Sequence, residues 1–155
     1  MNRVEYEEKL AKLKNEINEL KKVKIDDEEF PQVEEKYWFV SDVEDIHWDT
    51  WTNHYIDNYR KHFLRIFQTK EECERYKEVQ TAFKEESKKF KPDWEDIDQC
   101  KYYLYYNHYD RKLNIGSSNT CQHGGDYFER KKALENLITH FGEDDVKKYY
   151  LGIED

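Results

Sequence analysis

One order of residues occurs twice along this chain, and it limits the fold more than any other feature. Lys36-Tyr37-Trp38-Phe39-Val40 is rich in residues that favour extended backbone and is predicted to be a strand. A long polar loop follows, then a second predicted strand at His62-Phe63-Leu64-Arg65-Ile66-Phe67. Thr69-Lys70-Glu71-Glu72 has the form of a capping box, with Thr69 as N-cap and Glu72 reaching back. The helix it opens carries Cys73, Tyr76, Gln80, Phe83, Ser87 and Phe90 at helical spacing, and Pro92 bounds it. The second half replays this order. Lys101-Tyr102-Tyr103-Leu104-Tyr105 stands for the first strand, and a loop containing Gly116, Gly124 and Gly125 leads to Tyr127-Phe128, which answers Ile66-Phe67. Residues 128–135 then align with residues 67–74. Ala133, Leu134, Leu137, Ile138 and Phe141 share one face of the next helix, and Gly142 is placed to end it. Glu143, Asp144 and Asp145 favour the start of a last short helix, with Lys147 and Lys148 toward its end. The expected fold is α+β. Two ββα repeats, 37–92 and 101–155, share a mostly antiparallel sheet with helices on one face.

An amphipathic helix is expected before this domain, over residues 3–24. Tyr6, Leu10, Leu13, Ile17 and Leu20 follow the seam of a short coiled coil, with Leu10 and Ile17 at a and the other three at d. Three heptads are marginal for an isolated helix, so the seam needs a partner. Residues 1–24 are therefore expected to oligomerise the chain, the alternative being that the helix packs on its own domain. An acidic connector, 25–36, joins the two, and Phe30-Pro31 breaks the backbone within it. Hydrophobic residues at 37 % and charged ones at 39 % would by themselves suit disorder. The aromatic share of 16 % argues for order, since each ring can bury roughly 150–250 Å². The core is expected to be built largely from rings.

Charge is unevenly placed. The chain carries a net charge of -9, and residues 25–58 hold eleven carboxylates against one lysine, Lys36. Three of the four tryptophans fall in the same window. An acidic field with large aromatics suits a surface that meets a basic partner, because charge steers the encounter and buried rings anchor it. Trp38, Asp42, Glu44, Asp45, Trp48, Asp49 and Trp51 are the expected partner-binding residues, with the acidic side chains in the loop between strands. Such a surface can imitate nucleic acid, which carries one negative charge per ~1.7 Å of duplex axis. Direct binding of nucleic acid is not expected at this net charge. Lys84, Lys88, Lys89 and Lys91 make a basic patch, but Glu85 and Glu86 interleave with it. Tyr102, Tyr103, Tyr105 and Tyr106 lie on one strand, whose alternation sends at most two of them to the same face.

The chain shows no Walker loop, GxGxxG, HExxH or GxSxG, and neither a catalytic residue nor a cofactor is expected. His47-Trp48-Asp49 and His108-Tyr109-Asp110 place His two residues before Asp in both halves, and both triplets read as polar loop residues just after a strand. Gly124-Gly125 reads as a hairpin connection. Cys121 and His123 form a C-x-H pair with no second pair at ligand spacing, so no metal is expected. Cys73, Cys100 and Cys121 are odd in number and widely spaced, which fits a reducing compartment. Residues 1–20 are charged throughout, with no apolar signal region, and no run approaches a membrane span. A cytoplasmic protein is expected, without membrane contact.

In its Lys- and Glu-rich helical start, in residues 37–42 with their acidic loop, in residues 67–74 and in the closing residues 142–154, the chain resembles small, acidic proteins encoded by bacteriophages of Gram-positive hosts. The shared motifs are structural and carry no catalytic residues. The resemblance implies action in the host cytoplasm. It makes the expected function non-enzymatic: binding and inhibition of a host protein assembly with a basic or nucleic-acid-binding surface, such as a CRISPR or other defence nuclease. The alternative from another class is an oligomeric scaffold that displays a docking surface.

Overall fold

The computed structural model describes residues 2–22 and 29–154, so Asp26, Asp27 and Glu28 of the acidic connector and the last two residues of the expected helix 3–24 lie outside the described residues. Helix α1 spans Arg3–Lys22. Strands β1 (Lys36–Val40) and β2 (Ile46–Thr50) form an antiparallel hairpin, and helix α2 (Tyr55–Phe63) follows. Strand β3 (Ile66–Phe67) pairs with the other edge of β1 and leads into helix α3 (Lys70–Lys88). A second antiparallel hairpin, β4 (Lys101–Asn107) and β5 (Lys112–Ser118), precedes helix α4 (Lys131–Phe141). A short helix α5 (Glu143–Asp145) runs into a π-helical turn at Val146–Tyr150.

The fold is mixed α and β with antiparallel sheets. Its strands form two sheets, β2-β1-β3 and β4-β5, where one shared sheet was expected. Tyr127-Phe128 contributes only an isolated bridge, from Phe128 to Tyr102. Two strands lie in stretches that read as loops. Acidic and polar side chains at 41–45 close a tight turn in which Ser41 N–H donates to the Asp45 carbonyl at 2.8 Å, and residues 46–50 then extend because β1 supplies their ladder. Likewise β5 includes Gly116, whose glycine is required where it stands: a Cβ there would lie 2.6 Å from the Tyr103 ring across the ladder. Residues 62–63 end α2, leaving only Ile66 and Phe67 of the expected second strand. Gly124-Gly125 does not connect a hairpin; residues 108–111 do that, and the pair lies in the loop after β5.

The helix ends follow local chemistry closely. Thr69 caps α3, accepting from Glu72 N–H at 3.2 Å. Glu72 does not reach back, however. Its carboxylate takes Lys148 at 2.9 Å, a longer-range partner that ties α3 to the last turn. Gly142 closes α4 at φ +89°, a conformation that L side chains rarely adopt, with its N–H donating to Ile138 at 2.8 Å.

Alternation along β1 divides the interior. Tyr37 and Phe39 turn to one side and form a cluster with Trp51, backed by Phe30, Leu64 and Ile66. Trp38 and Val40 turn to the other, against the larger cluster that holds Phe67, Val79, Phe83, Leu104, Phe128 and Leu134. Rings supply most of the buried hydrophobic side chains among the described residues, as the composition led us to expect. Lys101 is fully buried beside them. Its ammonium donates to the carbonyls of Asp96, Gln99 and Asn119 at 2.8–3.3 Å, which uses all three of its protons and pins the loop before β4.

Candidate functional site

The seven residues expected to bind a partner lie along one hairpin but on two of its faces. Asp42, Glu44 and Asp45 occupy the turn between β1 and β2, all exposed, and none forms an ion pair with another described residue. Glu44 holds φ +64°, which keeps the turn tight. Trp38 and Trp48 face each other across the ladder, their ring centroids 6.5 Å apart. The Lys36 ammonium lies over both indoles, 4.6 Å from Trp38 and 3.9 Å from Trp48. Trp38 is half-buried against the core, while Trp48 is 55 % exposed.

Asp49 and Trp51 belong to the opposite face, beneath α2. Trp51 is only 6 % exposed and meets Tyr37 edge-on at 5.9 Å, so it supports the hairpin from below. Asp49 accepts from Arg60 at 2.6 Å. The same guanidinium donates to the Tyr37 hydroxyl at 2.9 Å and lies over the Phe39 ring at 4.4 Å. Tyr37 in turn donates to Asp57 at 2.7 Å. Asp57, at the third position of α2, also accepts from the N–H and hydroxyl of Thr52 and from His54 N–H. Burial pushes its carboxyl up, but these hydrogen bonds outweigh burial and hold it below its ordinary value. Burial first, then the bond to Asp57, raises the Tyr37 hydroxyl to about 12. Sequence reading counted Asp57 in the acidic field and missed Tyr37 and Arg60. The one local signal was the helix start itself, where a carboxylate at the third position satisfies free N–H groups.

A groove of about 390 Å³ runs between the turn and α3, with Asp42 and Glu44 on one wall and Lys77, Lys84 and Lys88 on the other. Two lysines of the expected basic patch, Lys84 and Lys88, therefore face the acidic turn across this groove, while Lys89 and Lys91 lie past the end of α3 and do not line it. The two His-x-Asp triplets are not equivalent: His47 and Asp49 stand on β2, while residues 108–110 form the turn after β4, tied by Asn107. Among the described residues, no three His, Cys, Asp or Glu side chains are placed to hold a metal ion. No described helix is long and apolar enough to cross a membrane.

A larger cavity, about 750 Å³, opens elsewhere, between β4 and the loop at 123–127. Tyr103, Tyr105, Tyr127 and Tyr150 line it together with His123 and Asp126. Here too alternation along β4 decides the outcome: Tyr102 joins the core with Leu104, while Tyr103 and Tyr105 take the other face, their rings 5.9 Å apart. The Tyr150 hydroxyl donates to Asp126 at 3.0 Å, and burial, then the Asp126 charge, pushes that hydroxyl far upward. Compared with known protein families, curated proteins and solved structures, the chain matches none.

Proposed function

We propose that this chain is a non-enzymatic binding protein that docks its acidic β1–β2 turn on a basic surface of another protein. The observation that carries this reading is the turn itself. Three exposed carboxylates, Asp42, Glu44 and Asp45, stand at the tip of a hairpin whose base is locked by Arg60 and Asp57, with the exposed Trp48 on the adjoining strand. A rigid acidic tip costs little entropy on binding, and an aromatic beside it supplies an anchor. On this reading the partner is a host protein assembly with a basic or nucleic-acid-binding surface, a defence nuclease for instance, which docking blocks. The two halves are read as copies of one unit, since each contains a hairpin, an antiparallel pairing on the free edge of its first strand (strand β3 in one half, the single Phe128 bridge in the other) and a helix.

Neutralising the tip tests this. Asp42→Asn, Glu44→Gln and Asp45→Asn together should slow association with a partner retained from a Gram-positive host lysate by about tenfold at low salt. The wild-type rate should itself fall as salt rises, because the Debye length is only ~8 Å at physiological ionic strength. Asp49 is left in place to preserve its bond to Arg60. An unchanged rate in low salt would make the turn a solubility device.

A second observation favours self-association as well. Tyr6, Leu10, Leu13, Ile17 and Leu20 are all exposed along α1, so no described residue of the chain's own domain covers the seam. The occupant that matches a heptad seam is a second copy of the same helix. Light scattering should report a larger species for the full chain than for one beginning at Phe30. Two monomer masses would overturn this.

A further inference from the structure

We propose that the cavity between β4 and the 123–127 loop receives a guanidinium group, the side chain of an arginine carried by the partner. Its walls are built before anything binds. Tyr103 lies down over Gly116, packs 4.5 Å from the His123 ring and meets Tyr127 edge-on at 6.2 Å. Tyr127 is held at its hydroxyl, which accepts from His123 N–H and donates to the His123 carbonyl, and at its ring by Trp94 at 5.0 Å. Gly124 and Gly125 have open space where a Cβ would stand. The aromatic faces are thus fixed, and the loop beside them is unobstructed.

Two polar features inside this aromatic frame select the ligand. Asp126 is the only lining residue with a formal charge at neutral pH. One of its oxygens accepts from Tyr150, and the other has no partner among the described residues. The second feature is backbone. Tyr102 exchanges both hydrogen bonds with Phe128, at 3.0 and 2.9 Å, across the edge of β4 that faces away from β5. By the alternation of an antiparallel ladder, Leu104 presents its N–H and carbonyl to that same edge. There the chain at 124–126 has diverged from β4, and Leu104 lines the cavity.

A carboxylate oxygen, with a carbonyl oxygen on the open edge of β4, in a cavity lined by tyrosine rings suits a planar cation. A guanidinium stacks on aromatic faces and directs N–H groups at two acceptors together, which a compact ammonium does less well. An anion would meet Asp126 unfavourably, and a neutral apolar group would leave its carboxylate unpaired. A nucleobase could stack on the rings, but its phosphates would approach a chain of net charge -9. The inference rests on the reading of the chain as a binder of basic partners, and it places a second anchor away from the acidic turn.

The test is a titration of the isotope-labelled full chain with N-acetyl-arginine methylamide, its citrulline counterpart and guanosine, following the amides of Gly116, Gly124 and Gly125. Saturable shifts are expected for the arginine compound alone, since citrulline keeps the shape and loses the charge. Asp126→Asn, which retains an acceptor for Tyr150, should weaken binding about tenfold. Tyr105→Ala changes a ring that is already 40 % exposed and should weaken it severalfold without unfolding the chain. Equal shifts with citrulline, saturation by guanosine alone, or no shift from arginine in the folded protein would each overturn the assignment. The protein with a neutralised β1–β2 turn should keep full affinity for the arginine compound. Failure here therefore leaves the reading of the turn standing, and failure of the turn leaves this site standing.

Discussion

Phe83→Ala is expected to lower the free energy of unfolding by about 4 kcal/mol, because it empties a fully buried ring site. Phe83 stacks on Tyr150 with centroids 3.9 Å apart and meets Phe128 edge-on at 6.2 Å. One ring thus joins α3 to the last turn and to the segment that bridges β4. Each aromatic contact adds ~0.5–1.5 kcal/mol beyond its buried area. The surrounding side chains are themselves rings, stiff and poorly suited to collapse into the space, so little of the loss is recovered. Since domains of this size hold only about 5–15 kcal/mol in all, the variant should be close to unfolding. Urea denaturation should move the midpoint down while leaving the slope unchanged. Tyr150 lines the arginine cavity, so affinity for the arginine compound should fall in the same variant. A loss under about 1 kcal/mol would mean that Tyr150 and Phe128 close the space.

Asp57→Ala is expected to cost about 3 kcal/mol, through groups left without a partner rather than through lost packing. Asp57 is 3 % exposed and accepts from the Tyr37 hydroxyl, the Thr52 N–H and hydroxyl, and His54 N–H. Removing it leaves the Tyr37 O–H without an acceptor beneath α2, although that oxygen still accepts from Arg60, and unpairs the Thr52 and His54 donors. The pH dependence follows from the depressed carboxyl. Its folded-state value lies below the ordinary 3.8, so its stabilisation is complete above that value and is lost as pH falls through the folded-state value. Wild type and Asp57→Asn should therefore differ most near neutral pH and converge in acid. A difference that stays constant into acid would show that Asp57 acts without its charge. Because this network fixes the base of the acidic hairpin, Asp57→Asn should also slow docking of the turn.

What the sequence determined by itself was local. The periods of α1, α3 and α4, the extended runs at β1 and β4, the Thr69 cap and the Gly142 stop all depend on residues within a turn or two of one another, where spacing and backbone preference suffice. Composition, likewise, was enough to foresee a core of rings. Only the tertiary structure decided the rest, because each outcome needed a partner distant in the chain. Strands β2 and β5 exist because β1 and β4 offer ladders, so an acidic stretch and a glycine-bearing one extend in spite of their own polarity. Of the carboxylates between 25 and 58, hydrogen bonding held Asp57 inside against the cost of desolvation and Arg60 held Asp49, leaving Asp42, Glu44 and Asp45 exposed at the turn. Trp51 and Trp48 read alike in sequence, yet one is buried and the other exposed. Trp48 stands on the outer strand β2 beside Trp38, while Trp51, just past the end of that strand, takes the opposite side with Tyr37 and Phe39. Glu72 left its cap for Lys148, and Asp126 met Tyr150 across 24 residues to close the floor of a cavity that no local pattern announces. Pairing and burial are properties of neighbours in space, and the order of residues along the chain specifies those neighbours only through the fold.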